Sequence, residues 1–574
     1  MNHSRVKKIN VVGDLVSDWM LTYQGVQSSQ QTWNFTENTG LFHQWGGYLL
    51  LRSLVENVVS SQANITNWEL LPRISLPENI EPSDVNFHNS FSLWAPFKNK
   101  SKSKNGENKA WRIENFLGTD TIMNKPRITD ASRLDNSTEV SDLLVISDTN
   151  SGYRNAPQKW HSMISKHKGW IVLKMAAPIA QGPLWKELIN QHAEKLIVVT
   201  TAQELRMTNV QISKKISWER TAQDVIWELT YNPLMNSLTQ AAYNIVSFNC
   251  AGAILMSKDI NKHIQGQLIF DPFAMEEDWE RAFPGSLIGY TTCLAASFVY
   301  QIMLNASRPE LIQAIQSGIS AMRVLQEEGY IVNKNTSERS EFHFPFQRVV
   351  QEIYLREQPF SVATIEDPIS RTLDPRQKNT SDIEKNYWTI LDNRYTNQLE
   401  EVSQQIVLDG SEIALNQVPV GKFGALVTVD RREIEALNGI QRLISEYCSG
   451  SQKKPLSFAV FGPPGSGKSF GVEQVAKSAI GEIAVLSFNI SQFHEVNDLL
   501  SALHQVRDIG LSGKIPLVFW DEFDTSLNGQ PLGWLRYFLA PMQDGAFQEG
   551  QIVHPIGRCI FVFAGGTSRS MEVF

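Results

Sequence analysis

A short apolar run, Phe458 to Phe461, passes directly into Gly462-Pro463-Pro464-Gly465-Ser466-Gly467-Lys468-Ser469, and this octapeptide constrains the fold more than any other part of the chain. Its G-x-x-x-x-G-K-[ST] pattern needs a strand before it and a helix after it. The glycines permit a turn tight enough to aim several backbone N–H groups at a polyphosphate, and the positive end of the helix adds to that field. The flanks comply, since Phe470 to Ser478 reads as the helix. In such a cradle, formed by Gly462 to Ser469 with Phe470, Lys468 reaches the β- and γ-phosphates and Ser469 ligates Mg²⁺. A glycine-rich turn without a ligand would share the pattern, so the reading needs a second half.

That half lies about fifty residues on, a spacing natural to a nucleotide-binding α/β unit. Ile515 to Trp520 reads as a buried parallel strand and ends in Asp521-Glu522-Phe523-Asp524. Two carboxylates at the tip of an apolar strand call for a reason, because charge there is costly. Asp521 can hold the Mg²⁺ shell through water, and Glu522 can polarise the water that attacks a γ-phosphate. Acids that merely cap the next helix are the plainer alternative, which the phosphate loop upstream disfavours. A third strand, Cys559 to Ala564, runs into Gly565-Gly566-Thr567-Ser568, where a small hydroxyl can position the lytic water. Thr567 and Ser568 are both candidates, and the sequence does not choose between them.

Together these segments, within residues 421 to 574, resemble the AAA+ ATPases: GPPGSGKS as Walker A, VFWDEFD as Walker B and FAGGTS at sensor 1, where the family usually shows Asn and this chain has Ser568. The resemblance implies ATP and Mg²⁺ as cofactors, ATP hydrolysis as the activity, and a homo-oligomer whose sites are completed between subunits. It also implies an adenine pocket built partly from an extended lead, here Gly424 to Val429, before a helix at Arg431 to Tyr447. The family's core continues into a further strand beside the phosphate-loop strand and a helical lid with a sensor 2 arginine, for which Arg569 to Phe574 has no room. A truncated or split reading frame is the expectation, with an unpaired apolar edge at the Phe458 strand. The arginine finger, worth about 10³ to 10⁵ in rate in related phosphoryl transfer, has Arg558 and Arg569 as nearest candidates, neither at the family's usual position.

The first 330 or so residues alternate short strands with helical patterns, as in an α/β domain with a mostly parallel sheet. Strands are expected at Ile9–Val12, Leu143–Ser147, Trp170–Lys174, Lys195–Thr200 and Asn244–Phe248, and helices at Tyr48–Ser60, Thr221–Leu229 and Thr292–Met303. This region resembles the ribokinase-like (PfkB-type) sugar and nucleoside kinases. Val11 to Asp18 is similar to their first strand, whose second Asp often touches a substrate hydroxyl; Gly46-Gly47 matches their paired glycines, and Ser247 to Ala253 the turn before their nucleotide site. Their G-A-G-D signature aligns with Gly289-Tyr290-Thr291-Thr292. The base thus falls on Thr292, too weak an acid to serve near neutral pH, and Thr291 would crowd the transferred phosphate. A degenerate domain that senses a ligand or docks a protein is the expectation. The plainer reading makes Asp18 a helix N-cap and the glycines a tight turn.

The expected fold class is therefore α/β: a ribokinase-like three-layer sheet domain over 1–330, a helical linker region over 331–420, and over 421–574 a P-loop AAA+ core lacking its last strand and lid. Main reading for function is an ATP-hydrolysing module coupled to a sensing or docking domain. Alternatives are an active small-molecule kinase with a regulatory AAA+ part, or a nucleotide-gated binder with negligible turnover. A net charge of −8 and the lack of any long basic run give nucleic-acid binding no support. No apolar stretch is long enough for a bilayer, and four widely spaced cysteines without a C-x-x-C pair fit reduced thiols in the cytoplasm.

Overall fold

A computed structural model of the chain describes residues 5–22, 40–61, 67–72, 76, 80–82, 88–98, 109–119, 140–333, 341–356, 358–366, 388–462, 465–481 and 483–565. It divides into two compact units, Met1–Lys214 with Trp218–Val418, and Lys215–Ser217 with Pro419–Phe574.

The first unit carries β1 (Lys7–Gly13), β2 (Leu15–Thr22), β3 (Gly40–Gly47), β4 (Trp68–Leu70), β5 (His88–Lys98), β6 (Lys109–Thr119), β7 (Leu143–Asp148), β8 (Trp170–Met175), β9 (Leu196–Thr201), β10 (Tyr243–Ser247), β11 (Gly252–Lys258), β12 (Ile264–Phe270), β13 (Ile331–Asn333), β14 (Glu341–His343) and β15 (Ser361–Ile365). Nine of these form one sheet in the order β15-β12-β11-β10-β9-β8-β7-β1-β4. From β4 through β10 the neighbours run parallel, and β11, β12 and β15 close one side antiparallel. Every residue of β7, LLVISD, is buried, the near-continuous apolar pattern that a parallel strand needs when both its faces are covered. Helices Tyr48–Ser60, Tyr290–Leu304 and Leu311–Glu328 contribute Leu51, Leu54, Val55, Leu294, Phe298, Ile315 and Met322 to the core against this sheet. All five expected strands are present, and the three expected helices lie within Tyr48–Ser60, Trp218–Tyr231 and Tyr290–Leu304.

A second sheet, β3-β2-β5-β6, was not expected from the sequence. Only Asp14 separates β1 from β2, so Val11 to Asp18, read as one strand, is two strands in different sheets. Residues 331–365, expected as part of a linker, contain a hairpin of β13 and β14, the helix Phe346–Tyr354 and the edge strand β15. Their apolar runs are too brief to register as periodic, and pairing with β12 decides the conformation of β15. The helices Ile390–Arg394, Leu399–Asp409 and Ser411–Ala414 follow.

The second unit holds β16 (Gly421–Phe423), β17 (Leu426–Thr428), β18 (Leu456–Val460), β19 (Ala484–Asn489), β20 (Pro516–Asp521), β21 (Ala546–Glu549), β22 (Ile552–Pro555) and β23 (Ile560–Ala564). The sheet order is β18-β23-β20-β19, parallel throughout. Helix Arg431–Ser449 starts on Asp430, whose carboxylate accepts the N–H groups of Arg432 and Glu433. Trp520 is fully buried among Phe488, Phe538 and Phe561. Among the described residues β18 pairs on one side alone, and its Ala459 is exposed.

Candidate functional site

In the second unit the phosphate-type loop leaves β18 and enters helix Lys468–Ile480. Gly465 and Gly467 take φ of 77° and 78°, with no neighbouring atom where a Cβ would stand. The left-handed backbone, not crowding, is what asks for glycine there. Gly462, Ser466 and Ser469 lie in the described part of the loop, and Phe470 is 48% exposed. Lys468 Nζ donates to the Gly462 carbonyl at 2.8 Å, so the side chain folds back over its own loop.

Register brings the acidic pair to the same edge. Val460 of β18 pairs with Ala564 of β23, and Ala564 in turn pairs with Asp521 of β20. The loop and the acids therefore leave the C-terminal ends of parallel strands separated by one strand, roughly 10 Å from the β18 end to the β20 end. That is the edge at which open α/β sheets bind ligands. Asp521 is half-buried and accepts from Ser487 Oγ at 2.9 Å. Glu522 sits in the left-handed region at φ 54°, exposed, with its N–H on the Ala564 carbonyl at 2.8 Å. A non-glycine residue held there costs of order 1–3 kcal/mol, a strain that concentrates at working sites. Asp521, with Ser469 across the edge, is the donor set suited to Mg²⁺ and its waters: hard oxygens with one carboxylate. Pro463, Pro464, Thr567, Ser568 and Arg569 lie outside the described residues.

Arg558 is engaged elsewhere. Its Nη2 donates to the carbonyls of Tyr447 at 2.6 Å and Cys448 at 3.0 Å, closing the end of helix Arg431–Ser449. That employment argues against a finger role within its own subunit. Gly424 forms the β16–β17 turn at φ 59°, and Ala425 N–H donates to Gln474 Oε1 at 2.9 Å, so the lead to the helix is a small hairpin rather than one extended strand.

In the first unit Asp18 lies inside β2, opposite Gln44 of β3, and is not a helix N-cap. It is 4% exposed and accepts from Ser90 Oγ at 2.5 Å. A Cβ at Gly46 would run into its carboxylate, so this glycine lets the acid lie flat on β3. Gly47, at φ 61°, precedes helix Tyr48–Ser60 and lets Tyr48 N–H reach the Asp14 carbonyl at 2.9 Å. Thr292 is fully buried in the first turn of helix Tyr290–Leu304, and Lys174 Nζ donates to its Oγ1 at 3.3 Å. Burial pulls Lys174 below the ordinary lysine range, while the charges of Asp18 and Glu204 oppose that. Tyr290 donates its phenol to the Gln326 side chain and is tied into the interior. The arrangement contains a half-buried cation and a buried acid but no carboxylate at the position of Thr292. Sequence reading missed Lys174 and Ser90. Lys174 was findable, because it is a charge near the tip of the apolar strand WIVLKM, the same signal that singled out Asp521.

Burial also raises the Asp18 carboxyl from 3.8 to about 6, against the Ser90 hydrogen bond and the charge of Lys174. The folded chain then holds a proton that the unfolded chain has released. The stabilising contribution is full below the unfolded value and is lost as pH rises through about 6. Asp18→Asn is expected to remove this dependence and to exceed the native chain by roughly 2–3 kcal/mol above that window. Parallel melts of both proteins from about pH 4 to 8 check it, and superimposable profiles would refute the protonation.

No family model matches the chain, and no curated protein matches it. Among solved structures, a putative phosphofructokinase from Staphylococcus aureus aligns at 11% identity and TM-score 0.31, covering 63% of this chain and 99% of that one. A Methanocaldococcus jannaschii nucleoside kinase, an archaeal member of the ribokinase family, gives 10% identity, TM-score 0.31, and 61% and 98% coverage. Giardia lamblia ribokinase gives 10%, 0.33, and 60% and 98%. Likeness at that level carries no weight for activity, and what stands on its own is a mixed α/β fold in which, among the described residues, no helix is long and apolar enough to cross a membrane.

Proposed function

We propose that the second unit binds ATP with Mg²⁺ and hydrolyses it in the manner of an AAA+ core, and that the first unit is a ribokinase-like domain that senses a ligand or docks a partner. The register Val460–Ala564–Asp521 carries this reading, since it puts the lysine loop and the acidic pair on one edge of one sheet. In the proposal the loop N–H groups and Lys468 bind the phosphates. Ser469 and Asp521 would hold Mg²⁺, which would supply charge neutralisation when bound. Glu522 accepts a proton from the attacking water, with Thr567 or Ser568 orienting it. A homo-oligomer completing its sites between subunits, in the cytoplasm, belongs to the same reading. Domain limits of 1–330, 331–420 and 421–574 belong to the same reading, although β15, inside the middle segment, pairs with β12 of the first unit's sheet.

A second reading, an active sugar or nucleoside kinase, is favoured by the buried Asp18 and Ser90 and the half-buried Lys174 near the Gly46-Gly47 end of β3. Against it stands Thr292, whose hydroxyl accepts from a lysine and has no basicity to lend. Incubation with γ-radiolabelled ATP and a panel of sugars and nucleosides is expected to give free phosphate and no labelled sugar. Labelled product that persists in Lys468→Ala would overturn the main reading in favour of the kinase.

A further inference from the structure

We propose that His504, Glu549 and His554 form a binding site for a borderline divalent transition-metal ion, for which Zn²⁺ is the probe. His504 is on helix Val496–Leu511; Glu549 ends β21 and His554 lies in β22 of the facing hairpin. Phe547 pairs with His554 across the hairpin and is 3% exposed. Its ring stacks on His554 at 5.2 Å and meets His504 edge-on at 4.8 Å, so one buried aromatic positions both imidazoles.

The donor atoms converge. His504 Nε2 is 2.9 Å from Glu549 Oε2, His554 Nε2 is 3.4 Å from the same oxygen, and the three ligand atoms lie within 4.8 Å of one another. With metal–donor bonds of about 2.0–2.2 Å, tetrahedral ligands stand roughly 3.3 Å apart, so an ion needs only small side-chain adjustments. His554 Nε2 is buried without a hydrogen bond, a donor atom left to be satisfied. Two imidazoles and one carboxylate suit Zn²⁺ with water as the fourth ligand. Arg507 opposes binding: its Nη1 is 3.3 Å from His554 Nδ1, while Nε and Nη2 hold Asp508. Metal on His554 Nε2 requires a proton on its Nδ1, and metal on His504 Nε2 requires the proton that this nitrogen donates to Glu549 to move to Nδ1 or to solvent, so the Arg507 contact and the His504–Glu549 hydrogen bond are both replaced on binding.

The test is a Zn²⁺ titration of the full chain, stripped with chelator and free of nucleotide and Mg²⁺, with metal content counted after desalting. One Zn²⁺ per chain is expected, and Co²⁺ in its place should give the visible absorption of a tetrahedral site. His504→Ala, His554→Ala and Glu549→Gln should each lose more than the roughly 10- to 100-fold that removal of an outer-shell partner costs. Arg507→Ala should bind more tightly than the native chain. His263→Ala, remote in sequence and largely exposed, should bind as the native chain does. Circular dichroism tracks folding, and should a histidine variant unfold, Glu549→Gln decides, because its side chain is half exposed. Absence of retained Zn²⁺ in the native chain, or uptake that survives the three ligand substitutions, overturns the site.

Discussion

Glu522→Gln is expected to retain ATP while hydrolysis falls by about 10²- to 10⁴-fold, the usual worth of a placed general base. The substitution is isosteric and leaves the backbone of residue 522 at φ 54° with its N–H on the Ala564 carbonyl. The side chain is exposed, so nothing in the core is disturbed. What changes is the ability to accept a proton. A carboxylate oxygen can take up a proton from water and an amide cannot, so phosphate binding continues and turnover stops. Bound nucleotide counted after gel filtration, together with released phosphate, checks both halves. Undiminished phosphate release would remove Glu522 from the chemistry, and loss of ATP would make it a binding residue instead.

Lys468→Ala is expected to fail one step earlier, in binding itself. The ammonium lies 2.8 Å from the Gly462 carbonyl, inside the loop whose N–H groups would face phosphate. A charge-assisted hydrogen bond to phosphate contributes about 1.5–3 kcal/mol, which corresponds to roughly 10- to 150-fold in Kd. Lys468→Arg should not restore the affinity, because a planar fork does not fit where a point charge on a flexible stem is needed. Titration of a fluorescent ATP analogue into native and variant proteins measures the difference. Equal affinity would refute the phosphate contact.

The parts legible in the sequence were those where one segment carries its own signal. β7 to β10 are apolar runs bounded by turns, and the loop from Gly462 to Ser469 is a contiguous motif, so neither depends on distant partners. The second sheet of the first unit was not legible. In β2 the buried residues include Ser17 and Asp18 beside Trp19 and Met20, so hydrophobic alternation fails, and the strand exists because β3 and β5 pair with it. The same limit hid the environment of Asp18. Its partners Ser90 and Lys174 are 72 residues away and on another sheet, respectively, and only the fold brings them near. That residue 292 is a threonine and not a carboxylate was plain from the sequence, whereas its hydrogen bond with Lys174 required coordinates.

The order of strands in the second unit bears on how the chain emerges from the ribosome. β18 is made first and β23 last of the four, yet β23 lies between β18 and β20. Until Ile560 to Ala564 have been translated, β18 lacks the one strand it pairs with among the described residues, and of its two described neighbours β20 has β19 alone. A nascent chain arrested before that point should therefore be protease-sensitive across the glycine-rich loop, and nucleotide should begin to protect it only when the closing strand has been inserted.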